Sequence, residues 1–219
     1  MADFKEMQSA LVDMDNDKLV ELVNAALEEN IPASEILNEG LIAAMDIIGG
    51  KMESGEMFIP EVLMAAQAMS NCVAILKPLL GEDSNAGNGC VIIGTVKGDL
   101  HDIGKNLVTM MLESGGLTVH DLGVDVSPEE FVSQIKVKKA NLVCLSALLT
   151  TTMPMVERTI HAIVESGLRD QVKIMVGGAP VSQEFADKVG ADGYAPDAGS
   201  AARYAKNLIS QFILENSNV

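Results

Sequence analysis

The first 80 residues carry their apolar side chains at helical spacing only. Leu19, Val20, Val23 and Leu27, for example, lie on one face of a helix. Four segments share this pattern: about 4–11, 17–28 behind the candidate caps Asn16 and Asp17, 32–50 up to the pair Gly49-Gly50, and one from about Pro60 that Pro78 ends. Four short amphipathic segments in a row predict a four-helix bundle over residues 1–80.

The pattern changes after residue 80. Residues 81–89 are polar, contain glycine and have no periodicity, so we expect a linker there. Beyond it, apolar runs at 90–95, 117–122, 142–146, 172–176 and 193–195 alternate with helical stretches at 103–113, 128–138, 154–166, 183–189 and about 198–214. Residues 90–219 are therefore predicted to form a flavodoxin-like, five-stranded doubly wound parallel sheet in the order 2-1-3-4-5, which makes the chain α plus α/β.

That strand order brings three unusual loops to one edge of the sheet. The loop after the first strand holds Asp99 and His101 among glycines, the loop after the third runs from Ser146 to Thr152 and is rich in hydroxyls, and the loop after the fourth begins with Gly177. Ligands of such sheets bind at the carboxyl ends of the strands, where the winding direction switches. We therefore expect the ligand site at this edge, with His101 as its chemical centre.

Composition narrows the function classes. A net charge of −16 with dispersed Lys and Arg excludes nucleic acid and anionic membranes as ligands. Cys72, Cys90 and Cys144 are far apart and are predicted to be buried, reduced thiols. No window is long and apolar enough for a membrane span, and the chain is predicted to be cytoplasmic.

Several kinds of functional site can be considered for the loop that holds His101. No second His or Cys lies within metal-ligand spacing of His101, so a metal held by protein ligands alone is not indicated. A phosphorelay aspartate lacks the expected Lys after the fifth strand. Gly94 to Gly98 matches neither a P-loop nor a dinucleotide fingerprint, which leaves nucleotide binding as a weak alternative.

The residues at this edge do carry a resemblance. Asp99, His101 and Gly104, followed by Ser146 and Leu148 and then by Gly177-Gly178, resemble the DxHxxG…SxL…GG signature of cobalamin-binding domains. The helical region, with Gly-Lys-Met-Glu-Ser-Gly-Glu-Met-Phe-Ile-Pro60, resembles the cap that precedes this domain in cobalamin-dependent methionine synthase and in small methyltransferase corrinoid proteins. The whole chain resembles the latter family.

The resemblance implies a cofactor and its ligands. The cofactor would be cobalamin, in methylcobalamin and Co(I) forms, bound with its benzimidazole displaced by His101. Asp99 would accept the other imidazole N–H, and the hydroxyl of Thr152 would extend this chain of hydrogen bonds. His101, Asp99 and Thr152 form the implied catalytic set. The implied cofactor contacts are Met52, Ile59 and Val62 in the cap, and Gly98, Asp99, Leu100, His101, Asp102, Ile103, Gly104, Ser146, Leu148, Thr150, Thr152, Gly177, Gly178 and Ala198 in the sheet domain.

The resemblance also implies a role in methyl transfer. The chain would be a non-catalytic carrier between a methyltransferase specific for a methylamine, methanol, betaine or aryl methyl ether and a second one that acts on a thiol or a tetrahydrofolate-type acceptor. A reductive activase is a further candidate partner. Two alternatives stay open, namely a cobalamin-dependent sensor or regulator and the cobalamin-binding subunit of a mutase.

Overall fold

The computed structural model describes residues 3–80 and 89–216. The chain divides into two compact units, a helical region within residues 3–80 and a sheet region that contains most of residues 89–216. The predicted linker at 81–89 lies outside the described residues except for Gly89. The proposed domain limits at 80 and 90 therefore stay a prediction.

The helical region contains helices at α1 (Phe4–Val12), α2 (Asn16–Glu28), α3 (Ala33–Glu35), α4 (Ala43–Glu53) and α5 (Ile59–Leu76). The segment Ile36–Ile42 between α3 and α4 is π-helical, so the predicted third helix is continuous but locally widened. Helix α1 packs against α2, α4 and α5, and α5 also packs against α2 and α4. The predicted helical bundle is confirmed.

Two helix limits in this region differ from the expectation. The carboxylate of Asp15 accepts the N–H of Lys18 and caps α2, so neither Asn16 nor Asp17 is the cap. The third helix also continues through Gly49-Gly50 to Glu53. Each helical glycine costs about 1 kcal/mol relative to alanine, which is less than the gain from burying neighbours such as Ile48.

The segment Ile59–Leu79 is long and apolar enough to cross a membrane, with a mean hydropathy of 1.4. The expectation that no window reaches this length was therefore wrong, because the segment carries only Glu61 and Lys77 as charged residues. The evidence for a span is weak, since the core helix of a soluble protein passes the same test. Val62, Met69 and Cys72 of α5 are buried within the protein.

The sheet region has the predicted topology. Its strands are β1 (Cys90–Thr95), β2 (Thr118–Asp121), β3 (Leu142–Ser146), β4 (Lys173–Gly177) and β5 (Gly193–Ala195), in the order β2-β1-β3-β4-β5. All pairings are parallel. The connecting helices are α6 (Ile103–Ser114), α7 (Pro128–Lys138), α8 (Met153–Glu165), α9 (Gln183–Val189) and α10 (Ala198–Asn216).

Two apolar layers cover the sheet. One contains Phe131 and Ile135 of α7 and Ile160 of α8 against β1, β3 and β4, and the other contains Leu112 of α6 and Ala205 of α10. The three cysteines are free. Cys72 and Cys144 are buried. Cys90 is only partly buried, because it is the first residue of β1 and lies at the amino end of the sheet.

Candidate functional site

The three loops predicted to share one edge of the sheet are bonded to one another at its carboxyl end. The N–H of Val96 donates to the carbonyl of Ser146 over 3.0 Å, and the N–H of Ala147 donates to the carbonyl of Gly177 over 3.2 Å. These bonds extend the pairing of β1, β3 and β4 by one residue each. The sheet therefore fixes the starting points of the loops that carry the predicted site residues.

Asp99 is the buried centre of this edge, with no exposed surface. Its Oδ1 accepts the His101 N–H at 3.1 Å and lies 2.7 Å from His101 Nδ1. Its Oδ2 accepts the N–H groups of Leu148 at 2.8 Å and Leu149 at 3.4 Å, and the hydroxyl of Thr152 at 2.6 Å. One carboxylate thus joins the loop after β1 to the loop after β3.

These contacts decide the ionisation of Asp99. Burial alone raises the pKa of the carboxyl, but the hydrogen bonds from Thr152, Leu148 and His101 outweigh it and hold the pKa well below its ordinary value. Asp99 is therefore ionised at neutral pH. The Thr152 hydroxyl has a single proton and also lies 2.9 Å from the carbonyl of Leu149, and the carboxylate is both the nearer and the stronger acceptor.

An ionised Asp99 also fixes the tautomer of His101. A carboxylate can only accept, so Nδ1 of the imidazole carries the proton and Nε2 of the neutral ring keeps its lone pair. Among the described residues, Nε2 has no hydrogen-bond partner, and half of the side chain is exposed. The Thr95 hydroxyl holds the main chain of His101 by donating to its carbonyl over 2.9 Å. The arrangement presents one aimed nitrogen donor.

Four apolar side chains in the two segments that Asp99 joins are exposed to solvent. Leu100 is 72% and Ile103 is 86% exposed, and Leu148 and Leu149 are each about two-fifths exposed. Four exposed apolar side chains in two adjoining segments are unusual for a surface that faces only water. They suit a broad apolar ligand that binds beside His101.

The glycines of the signature differ in whether the protein's own packing requires them. Gly178 has a φ of +124°, and a Cβ there would overlap the carbonyl of Ala147, so its role is close packing of two loops. A Cβ on Gly177 would meet the carbonyl oxygen of Ala195 at 3.2 Å. A Cβ on Gly104 would meet nothing within 4 Å, so nothing within the protein itself requires glycine at that position.

The remaining predicted cofactor contacts differ in their exposure to solvent, and one of them has a left-handed backbone. Gly98 has a left-handed φ of +82°, Ser146 is half-buried, Asp102 and Thr150 are exposed, and Ala198 is buried. In the helical region Met52 is half-buried, Ile59 is 49% exposed and Val62 is fully buried. Full burial gives Val62 a packing role, and its predicted contact with a cofactor stays a prediction.

Sequence reasoning missed a second set of polar residues behind the His101 loop. Asp125, in the loop after β2, accepts the N–H of Gly98, and the buried Lys105 of α6 pairs with Asp121 at the end of β2. Strand order was the available signal, because it already placed the end of β2 beside that of β1. Within residues 3–80 and 89–216, no group of three or more His, Cys, Asp or Glu side chains could hold a metal ion.

Comparison with known proteins identifies the family. Models of a B12 binding domain match residues 4–77 and 89–203. The chain is 44% identical to the dimethylamine corrinoid protein of Methanosarcina barkeri over 207 residues, which cover 94% of this chain and 97% of the relative. The chain belongs to the methyltransferase corrinoid protein family. The expected cofactor, cobalamin, and the Rossmann-like sheet domain are thereby confirmed.

Solved structures agree with this assignment. A cobalamin-binding protein from Desulfitobacterium hafniense superposes with a TM-score of 0.83 at 30% identity, covering 95% of this chain and 99% of that one. The methanol:cobalamin methyltransferase complex of Methanosarcina barkeri matches with a TM-score of 0.78 at 29% identity, covering 94% and 79%. Both matches extend over the helical and the sheet regions of this corrinoid protein.

The residues at the sheet edge fit a corrinoid. Four donors of a corrin-bound cobalt come from the macrocycle, so one protein nitrogen would complete the set, and the exposed Nε2 of His101 fits that requirement. Exposed Leu100 and Ile103 suit the apolar face of a macrocycle, and the open space at Gly104 leaves room for a group that is not part of the chain.

Proposed function

We propose that this protein carries a methyl group between two methyltransferases on a corrinoid whose lower ligand is Nε2 of His101. The observation that carries the proposal is the 2.7 Å contact between His101 Nδ1 and the buried, ionised Asp99, which leaves the opposite nitrogen free. A bound corrinoid supplies the chemistry, since its cobalt can accept and release a methyl group.

The chain's own contribution is orientation and proton balance. Asp99 fixes the ring plane of His101 and raises the electron density at Nε2, as carboxylates do behind other metal-binding histidines. When His101 is not ligated, Nε2 can take up a proton, and Asp99 then balances the charge of the imidazolium. The Thr152 hydroxyl keeps Oδ2 of Asp99 satisfied throughout.

Other residues of the site would hold the rest of the cofactor. The open space at Gly104 would leave room for a nucleotide tail, and Ser146 and Thr150 would offer hydroxyls to it. Gly177 and Gly178, whose Cβ positions lie against neighbouring carbonyls, would contact the tail through their main chain. Ala198 would lie near the end of that tail. Met52 and Ile59 of the helical region would contact the methyl-bearing face, and Val62 would support them from its buried position.

The methyl donor we propose is a methylated amine. The full-length likeness to dimethylamine corrinoid proteins at 44% identity exceeds the 29% to the methanol system. One partner would be a substrate-specific methyltransferase, as in the methanol:cobalamin complex. The second would be a methyltransferase acting on a thiol or a tetrahydrofolate-type acceptor, with a reductive activase as a further partner. We propose that the carrier is soluble and cytoplasmic.

Two other functions use a similar sheet domain. A cobalamin-dependent regulator would need a DNA-binding element, and a net charge of −16 opposes one. A mutase subunit would not need the helical region, whereas here a B12 binding domain model matches residues 4–77. Tight retention of adenosylcobalamin, or a light-dependent change of oligomeric state, would favour these alternatives.

Replacing His101 tests the proposed ligand. The wild-type protein, His101→Ala and His161→Ala would be reconstituted with cobalamin, and their visible spectra and dissociation constants compared. His161 lies on α8 with a 70% exposed side chain and is a matched control. We expect His101→Ala alone to lose the spectrum of an axial imidazole and to bind the cofactor at least about tenfold more weakly.

Two outcomes of this experiment would contradict the proposal. A wild-type protein that binds no corrinoid would refute the carrier function. A His101→Ala spectrum identical to that of the wild type would refute ligation by this histidine while leaving corrinoid binding intact.

A further inference from the structure

The main chain that carries Asp99 is held from the side of β2 by one residue, Asp125. Its Oδ1 accepts the N–H of Gly98 at 2.8 Å, and its Oδ2 lies 3.1 Å from the ammonium group of Lys97. The N–H of Asp125 in turn donates to the carbonyl of Asp99 over 3.0 Å. Asp125 thus binds three consecutive residues of the loop that leads to His101.

Asp125 is itself held in an uncommon conformation. Its φ of +56° lies in the left-handed region, which Asp tolerates better than most residues with a side chain. The adjacent Val126 forms a parallel bridge with Val96 and is buried. The loop after β2 is therefore anchored on the sheet, and Asp125 projects from a fixed base toward the His101 loop.

The charge of Asp125 agrees with this geometry. The Gly98 N–H and the Lys97 ammonium hold the pKa of its carboxyl below its ordinary value. The bond to Gly98 is then a charge-assisted one. It acts at a residue whose own φ of +82° makes the turn into Asp99, so the bond selects the turn that brings the Asp99 carboxylate under His101.

We propose that Asp125 is a positioning residue for the His101 ligand, acting through Gly98 and Asp99. This inference rests on the proposed ligation of a corrinoid by His101. The hydrogen bonds and the ion pair of Asp125 described above go to Lys97, Gly98 and Asp99 and not to His101 itself. Asp125 fixes the main chain on which the Asp99 carboxylate depends, and Asp99 then sets the direction of the imidazole.

The test uses the apoprotein and one informative substitution. Asp125→Gly removes both carboxylate contacts but keeps the left-handed backbone without strain. Amide hydrogen exchange would be measured at His101 and Leu148, whose N–H groups bind the Asp99 carboxylate and do not touch Asp125. We expect exchange at both amides to accelerate about tenfold, the loss typical of one charge-assisted bond.

Three control variants separate positioning from a general loss of structure. Lys139→Gly also replaces a left-handed residue of the sheet region, the one that ends α7, and should leave both amides unchanged. Asp125→Asn keeps an acceptor for Gly98 and should restore most of the protection. Lys97→Met removes only the ion pair and should have a smaller effect than Asp125→Gly.

Cobalamin binding then links the exchange result to ligation. In Asp125→Gly we expect the fraction of bound cobalamin that shows an axial imidazole in its visible spectrum to fall, with rescue in Asp125→Asn. Unchanged exchange at His101 and Leu148, or an unchanged spectrum, would overturn the role of Asp125. A wild-type protein that fails to bind corrinoid would instead overturn the proposed function, because the exchange measurement needs no cofactor.

Discussion

The helical and sheet regions differ in what they bury. All seven buried polar or charged side chains among the described residues lie in the part of the chain from 89 to 216, and residues 3–80 bury only apolar ones. Residues 1–80 nevertheless hold 14 Asp or Glu and 4 Lys. The helical region keeps its charges in water, whereas the sheet region buries Asp99, Lys105 and Thr152 with hydrogen-bond partners.

This difference indicates that buried side chains serve packing alone in the helical region and also hold polar groups in place in the sheet region. Burying a polar group costs free energy unless its hydrogen bonds are restored, so such groups persist where an arrangement of donors and acceptors is needed. None of the buried side-chain polar atoms in the described ranges lacks a partner. We therefore expect substitutions in the helical region to change stability first, and substitutions at the sheet edge to change the binding site first.

The largest expected effect of removing buried apolar surface is in the helical core. Leu19 of α2 is fully buried, and Leu19→Ala should lower the free energy of unfolding by about 3 kcal/mol through lost burial and the cavity left behind. Urea unfolding of the apoprotein measures this. Met64→Ala, at an exposed position of α5, is the control and should cost less than about 1 kcal/mol. Equal losses in both variants would contradict a packed core at Leu19.

A smaller effect with a distinctive pH dependence is expected at Asp99. Asp99→Asn should destabilise the apoprotein at pH 7 by about 2 kcal/mol, because an amide cannot accept from all the donors around the carboxylate. The native pKa of Asp99 is lowered, so its contribution is complete above the unfolded pKa of about 4 and is lost as the pH falls through the native pKa.

The measurement compares wild type and Asp99→Asn by urea unfolding between pH 8 and pH 3. The difference in unfolding free energy should be constant down to about pH 4 and shrink below it. Asp102→Asn, three residues along on the exposed side of the loop, should show little difference at any pH. A gap that already closes between pH 8 and pH 6 would show that Asp99 is not held ionised by these contacts.

The sheet region was the more predictable of the two from sequence. Strands β1, β3 and β5 and helices α7 and α9 begin and end at the predicted residues, because short apolar runs that alternate with amphipathic segments leave little choice of limits. In the helical region, Gly49-Gly50 suggested an end that tertiary packing overrode, and nothing in the sequence pattern marks the π-helical segment at Ile36–Ile42.

At the site, sequence reasoning identified the residues but not all their connections. The contact between Asp99 and His101 was expected, and Thr152 was expected to join it; both contacts are present. The contacts of Asp125 with the His101 loop depend on a residue with left-handed backbone and on how closely two loops approach each other. Neither periodicity nor composition encodes these features. The helical pattern over 103–113 does not distinguish Lys105, and only the structure shows that it is buried and paired with Asp121.

The smallest expected effect on stability belongs to Gly104, and it separates packing from binding within the sheet region. Gly104→Ala places a methyl group in open space at the start of α6, so the apoprotein should change in stability by less than about 1 kcal/mol. Cobalamin should nevertheless bind about tenfold more weakly, because the methyl group occupies room that we assign to the cofactor.

Gly178→Ala is the matched contrast to Gly104→Ala. Its Cβ would overlap the carbonyl of Ala147 at a φ of +124°, so it should destabilise the apoprotein itself by about 3 kcal/mol. Urea unfolding and cobalamin titration of both variants distinguish the two roles. If Gly104→Ala binds cobalamin as the wild type does, the space beside Gly104 is not part of the site.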